Sequence, residues 1–471
     1  MAAQEPVLLK EPREGVPDVI DTPDEFFRMV DRYAAADGPL AADAERASGY
    51  RYGQQDWLVQ FKRAGAGIAL VDPVALAQRG VDWGPFNEAV GDAEWIIHDS
   101  LQDLPGFVQI GLAPKALFDT EFAARLLGRQ RFGLAACTEH YLGLTLAKEH
   151  SAADWSYRPL GRDLRDYAAL DVEVLIELRA RMVDDIESQG KEGWAREEFA
   201  HLLRKGTTPK DPPEEPWRRT SHITQLNHDR RGLAIVRELW TERDALAREL
   251  DIAPTLLLPD AALIKAAVAK PRNSRQFSQI RILNERVRMH VGGERDKMFE
   301  RYAPLQRKVK PSVWKNAILR ALALPESDLP SASGGQDRVE EGTNAPRSMK
   351  YWRVHHPDRF DLLEHERARL NVISQDTNTP VDVLLRPQAL RNLCWQAGEG
   401  FVEASEDAVA GFLRSQDARP WQVSLLSRPL AVQMREAQER QTQEDRQAWE
   451  PQGHGAPERA GSMQAAGGAI V

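Results

Sequence analysis

An α/β domain with a mixed sheet, followed by two all-helical units, is the architecture the sequence predicts, and three observations carry it. Short apolar runs alternate with helical periodicity between residues 39 and 171, the signature of strands interleaved with helices. Two stretches poor in packable side chains, TTPKDPPEEP at 207–216 and PESDLPSASGGQDRVEEGTNAPRS at 325–348, interrupt the chain and read as linkers. Around them, from 227 to about 307 and from 349 to about 430, the periodicity is helical almost throughout.

Taken in order, PLAADAE at 39–45 reads as a short strand. WLVQF at 57–61 and IALVDP at 68–73 read as adjacent strands across a glycine-containing turn, and EWIIH at 94–98 as a further strand. Helical periodicity then covers 119–127, 137–146 and 162–182. The expected boundaries are an N-terminal extension (1–20), the α/β domain (21–210), a linker (211–225), a helical domain (226–307), a connecting helix (308–324), a flexible linker (325–348), a second helical domain (349–430) and a disordered tail (431–471). LLLPDAAL at 256–263 is echoed by VLLRPQAL at 383–390, each following a helix-breaking proline, Pro254 or Pro380. Two copies of one bundle, or two unrelated helix starts, both produce this pattern.

At 471 residues the chain exceeds one ordinary domain. Its composition, 42% hydrophobic and 28% charged, is that of a water-soluble protein, and no apolar run approaches the length of a bilayer span. The first 30 residues lack a basic segment followed by an apolar core, so a cytoplasmic protein is expected. Cys137 and Cys394 stand far apart, which points to two buried thiols rather than a disulfide or zinc site. Net charge is −9, yet residues 217–320 hold 22 Lys or Arg against 11 Asp or Glu. A basic region inside an acidic protein is either a set of solvated helix faces or a surface for phosphates.

Three acidic motifs carry the chemistry. Asp43 and Glu45 lie two apart on a strand and so share one face. Asp103 follows the apolar strand at 94–98 and opens a helix. Tyr167 and Asp171, four apart in a helical stretch, share one helix face; Asp163 and Asp166 compete for the acidic role but lack a tyrosine one turn earlier. Several carboxylates without histidine or cysteine suit hard divalent cations. A pair of such ions can activate water and stabilise the departing oxygen of a phosphodiester.

In their order and separation these motifs resemble the three exonuclease motifs of the DEDD superfamily, tyrosine branch, and DWSYRPL at 154–160 is similar to a segment of the ribonuclease D family. The helical unit at 226–307 resembles the helicase-and-RNase-D C-terminal (HRDC) domain, and that at 349–430 a more divergent one. The resemblance implies a ribonuclease H-like α/β fold followed by two HRDC-like bundles. It implies that Asp43, Glu45, Asp103 and Asp171 bind two Mg²⁺ or Mn²⁺ ions, and that Tyr167 assists the attacking water. The substrate implied is a single-stranded RNA 3′ end, tRNA precursors included, in a chain expected to act as a monomer. Ala44 stands where the family commonly has Thr, and Gln102 where an acidic residue often precedes the catalytic aspartate; neither removes a ligand.

For the RNA itself, Arg158, His98, Arg230, Arg231, Arg272, Arg275, Lys308 and Lys310 are the candidate contacts. Arg158 either meets a phosphate or pairs with a carboxylate, and His98 either touches substrate or is a satisfied buried histidine. Two other classes compete with an exoribonuclease: a 3′-to-5′ DNA exonuclease, since the chemistry acts on the phosphate, and a non-catalytic nucleic-acid scaffold. Two RNase-D-type helical lobes favour RNA, and the full set of five side chains disfavours the scaffold.

Overall fold

A computed structural model describes residues 5–147, 153–287, 300–332, 345–346 and 348–449. They fall into two compact units, one formed by Met1–Glu341, Ser374–Leu384 and Arg419–Trp421, the other by Gly342–Ile373, Leu385–Ala418 and Gln422–Val471.

The α/β domain begins with β1 (Val7–Leu9), β2 (Val19–Ile20) and α1 (Pro23–Ala34), then the meander β3 (Leu40–Arg46), β4 (Asp56–Arg63) and β5 (Gly67–Val71). After α2 (Pro73–Gln78) and α3 (Gly84–Val90) come β6 (Glu94–Ile97), α4 (Ser100–Ile110) and β7 (Ala116–Asp119). The six-stranded sheet runs β2-β5-β4-β3-β6-β7. Its centre is antiparallel, and β2, β6 and β7 add in parallel at the flanks. Strands β3 to β6 are those expected from apolar alternation.

Aromatic side chains fix one face of this sheet. Phe61 lies 4.6 Å from Phe86 and 5.9 Å, edge to face, from Trp95, ring centre to ring centre. The buried Tyr33 hydroxyl donates to the carbonyls of Phe61 and Gly67 at 3.0 Å each. Truncating Phe61 to alanine would cost about 3–5 kcal/mol.

Downstream lie α5 (Thr120–Leu126), α6 (Leu134–Leu142), β8 (Leu144–Leu146), α7 (Arg162–Glu173), α8 (Leu175–Ser188) and α9 (Glu192–Thr207). Two helical expectations change here. The helix expected over 137–146 ends at Gly143, in the left-handed region at φ 65°, and 144–146 is instead a strand paired in parallel with β1. The helix expected over 162–182 is two helices, divided at Val174.

The first helical lobe belongs to the same unit. Its long helix α10 (Arg230–Leu250) is capped by Asp229, whose carboxylate accepts from Gly232 N at 2.9 Å, and ends at Asp251 in the left-handed region. With α11 (Pro254–Leu257), α12 (Asp260–Ala269) and the helix Pro311–Ala323 it encloses Leu233, Leu239, Leu256, Leu263, Trp314 and Ile318. Tyr302 Oη donates to Asp154 Oδ2 at 2.8 Å, and Ala253 N to Tyr50 O at 2.8 Å, tying this lobe to the α/β domain. The linker expected at 325–348 packs at its start: Leu329 is buried in the lobe's core. Residues 333–344 and 347 lie outside the described residues.

In the second unit, helices Met349–His355, Pro387–Gly398 and Glu406–Ser415 and most of Pro357–Asp376 surround Trp352, Leu363, Leu370, Leu393 and Leu413. Trp352 Nε1 donates to Pro346 O at 2.7 Å. Like α11 and α12, the echoed sequence forms a four-residue helix, Val381–Leu384, and then a longer one from Pro387. The tail expected to be disordered from 431 begins as helix: Pro420–Trp449 runs through it, with Ala431 and Met434 buried. Residues 450–471 lie outside the described residues.

Candidate active site

Strand β3 sets the site. Leu40, Ala41 and Ala42 are fully buried, so the strand is held as a central element, and Asp43 and Glu45 emerge on one face near its end. Helix α7 packs across β3, β4 and β5 through Ala168, Ala169 and Leu170. The small side chains let its backbone come close, which brings Asp171 to the strand. One oxygen each of Asp43, Glu45 and Asp171 lie within 4.8 Å of one another. These three carboxylates line a cleft of about 610 Å³ together with Asp103, Tyr167, His98, Arg46, Glu121 and Phe132, among others.

The carboxylates of the cleft are buried together and repel one another. Burial, then mutual repulsion, pushes Asp43 and Glu45 well above the usual carboxylate range. Burial pushes Asp171 up to about 7, and a hydrogen bond from Tyr167 opposes the rise. Tyr167 itself is driven above its ordinary range by burial and the neighbouring carboxylates, so its hydroxyl stays protonated. Asp103 is also raised by burial and by repulsion from Asp43, and Arg46 Nη2 lies 3.0 Å from its Oδ1.

His98 lines the cleft with Nδ1 2.9 Å from Thr120 Oγ1, and burial pulls it down to about 4, so the ring is neutral at physiological pH. Asp163 is exposed, and Asp166 pairs with Arg162 at 3.6 Å. Neither is among the cleft-lining residues described.

Three of the expected RNA contacts are spent on the fold. Arg158 gives Nε to Asp72 (2.5 Å), Nη1 to the carbonyls of Trp155 (2.6 Å) and Tyr157 (3.0 Å), and Nη2 to that of Trp57 (2.6 Å). It braces the 154–160 segment against β4 and the start of α2. Arg230 donates to the carbonyls of Pro330, Glu326 and Leu329. Arg231 donates to those of Ala321 and Leu324 and pairs with Glu326. Both arginines fasten the end of the helix Pro311–Ala323 and the segment after it. Arg272, Arg275, Lys308 and Lys310 are exposed on the helical lobe and are not among the described residues lining the cleft.

Arg46, Glu121 and Phe132 were not singled out from the sequence. Arg46 follows Glu45 directly, and that adjacency was the available signal. Glu121 is pushed up to about 7 by burial, and Phe132, half exposed at the cleft, carries the Arg125 guanidinium over its ring at 5.6 Å.

Family models match the chain in three places: a 3′-5′ exonuclease over 17–187, an HRDC domain over 232–294 and a 3′ to 5′ exonuclease C-terminal domain over 345–434. Ribonuclease D of Escherichia coli (strain K12) is 29% identical over 255 residues, 53% of this chain and 66% of that protein, which is just under two thirds of its length. Ribonuclease D of Jannaschia sp. (strain CCS1) is 27% identical over 330 residues, 69% of this chain and 79% of its own. The crystal structure of a protein from Bifidobacterium adolescentis is 57% identical, covering 92% of this chain and 100% of that one, with a TM-score of 0.85. The crystal structure of Escherichia coli RNase D, at 22% identity and a TM-score of 0.56 over 89% of this chain and 98% of that one, shares the fold. The chain therefore belongs to the DEDD/RNase D exonuclease superfamily and carries an HRDC domain.

Proposed function

We propose that this protein is a metal-dependent 3′-to-5′ exoribonuclease that shortens single-stranded RNA 3′ ends, tRNA precursors among them. The observation that carries the reading is the convergence of Asp43, Glu45 and Asp171, with Tyr167 bonded to Asp171.

The donor set fits hard divalent cations: it offers carboxylate oxygens without histidine or cysteine, on groups whose burial is costly when they are charged and uncompensated. Asp43, Glu45 and Asp171 would hold one Mg²⁺ or Mn²⁺, and Asp43 with Asp103 would serve a second. When bound, the ions supply activation of water and neutralisation of charge on the phosphate and leaving 3′-oxygen. Tyr167, kept protonated, can donate to and orient the attacking water but is a poor base. Neutral His98 is available as a hydrogen-bonding partner for substrate rather than as a cation for phosphate.

Arg272, Arg275, Lys308 and Lys310 extend the RNA path over the HRDC lobe, where exposed cations can track a single strand without reading its sequence. Much of the remaining basic charge of this lobe is neutralised by its own acids, as in the pairs Arg243–Asp260, Lys270–Asp229 and Arg320–Glu242.

The test is shortening of 5′-labelled single-stranded RNA by the full chain with Mn²⁺. The wild type is expected to produce a ladder retreating from the 3′ end, and Asp43→Asn to produce none. Preferential degradation of single-stranded DNA would transfer the assignment to a DNA exonuclease.

A further inference from the structure

β3 and β4 keep register from Leu40↔Arg63 to Glu45↔Leu58, and then slip by one residue so that Arg46 faces Asp56. Bulges of this kind re-aim a side chain next to an active site. Here Arg46 is turned onto two buried carboxylates, with Nε 2.9 Å from Asp56 Oδ1 and Nη2 3.0 Å from Asp103 Oδ1. The Asp56 side chain is fully buried, and among the described residues Arg46 is its only salt-bridge partner. The surrounding helix is shaped around this acid: a Cβ on Gly106 in α4 would lie 2.4 Å from Asp56 Oδ2. Asp56 thus anchors the guanidinium, and Asp103 receives its other end.

Among the described residues, Arg46 makes a salt bridge to Asp103 and to none of the other three acids of the site. Asp43, Glu45 and Asp171 converge on one point, whereas the fourth carboxylate already holds a cation. Resting on the divalent-cation reading above, we propose that Arg46 is a resident counter-ion for the second metal position. It neutralises Asp103 in the ion-free protein, and the second divalent cation must displace it or bind beside a positive charge. Arg46 therefore lowers the affinity for the ion that Asp103 serves. Arginine suits the role because its planar fork spans both acids, which a lysine ammonium cannot do.

The experiment is calorimetric titration of Mn²⁺ into the full chain, stripped of metal and without RNA. The wild type supplies the reference affinity of each ion. Arg46→Met combined with Asp56→Asn removes the guanidinium together with the buried charge it compensates, and should tighten the second ion by about tenfold. Asp56→Asn alone removes a compensating charge and leaves the guanidinium to Asp103, so it should weaken the second ion instead, and that opposite shift decides the matter if the double variant does not fold. An unchanged second affinity in a folded variant overturns the proposal. So does weaker RNA binding with unchanged Mn²⁺ affinities, which would make Arg46 a phosphate ligand instead. A wild type that binds no Mn²⁺ removes the divalent-cation reading itself, and this inference with it.

Discussion

Among individual residues, Tyr167 offers the cleanest separation of binding from chemistry. If its hydroxyl only orients water, Tyr167→Phe should lower kcat by roughly 100-fold while KM and the calorimetric Mn²⁺ affinity stay close to wild type. A loss of Mn²⁺ binding in that variant would instead make the hydroxyl a structural support for Asp171. The acidic cluster also fixes a pH response. Asp43, Glu45 and Asp103 are raised, and Asp171 lies at about 7, in the folded chain, whereas unfolded carboxyls titrate near pH 4. Between about pH 4 and 7 the native state therefore holds more protons than the unfolded state, so stability falls as pH rises through that window. Melting of EDTA-treated protein should show this decline between pH 5 and 7, and added Mn²⁺ should remove most of it. A metal-free melting temperature independent of pH across the window would contradict the clustering. The meeting of Asp43, Glu45 and Asp171 was legible because motif spacing on a strand and on a helix dictates shared faces. The intramolecular partners of Arg158, Arg230 and Arg231 were not legible, because the carbonyls of Trp57, Pro330 and Ala321 that they meet stand 101, 100 and 90 positions away, which no local pattern reveals.

Within single elements, the site depends on close approach. Gly106→Ala places a methyl group against the Asp56 carboxylate and should cost about 1–3 kcal/mol of stability, measured by urea unfolding; an unchanged midpoint would show that α4 shifts freely. Strands β3 to β6 could be read from their short apolar runs. The three-residue strands β1 and β8 could not be read, because their pairing is with each other across more than a hundred positions. The helix expected over 137–146 overran Gly143 for the same reason: Leu144 and Leu146 continue an apolar pattern, and only the distant partner strand makes them extended.

At the scale of the whole molecule, the basic HRDC lobe is an electrostatic device only where its cations lack intramolecular partners. Replacing Arg272, Arg275, Lys308 and Lys310 together by alanine should weaken long-RNA binding and reduce the salt slope by about 3, with cleavage of a dinucleotide unchanged. Replacing Arg230 and Arg231 should lower stability by about 1–3 kcal/mol and leave that slope intact. The opposite outcome would mean that the fastening arginines face RNA after all. The linker-punctuated order of an α/β domain and two helical units was visible in composition, while the packing of Leu329 was not, since the surrounding proline and serine content masks a single buried side chain.

The central claim, that carboxylates from β3 and α7 cage a divalent cation, is tested most directly by anomalous diffraction at the manganese edge from crystals soaked in Mn²⁺. The account predicts a strong peak bounded by Asp43, Glu45 and Asp171, absent from Asp171→Asn crystals. A peak elsewhere, or none at saturating Mn²⁺, would contradict it.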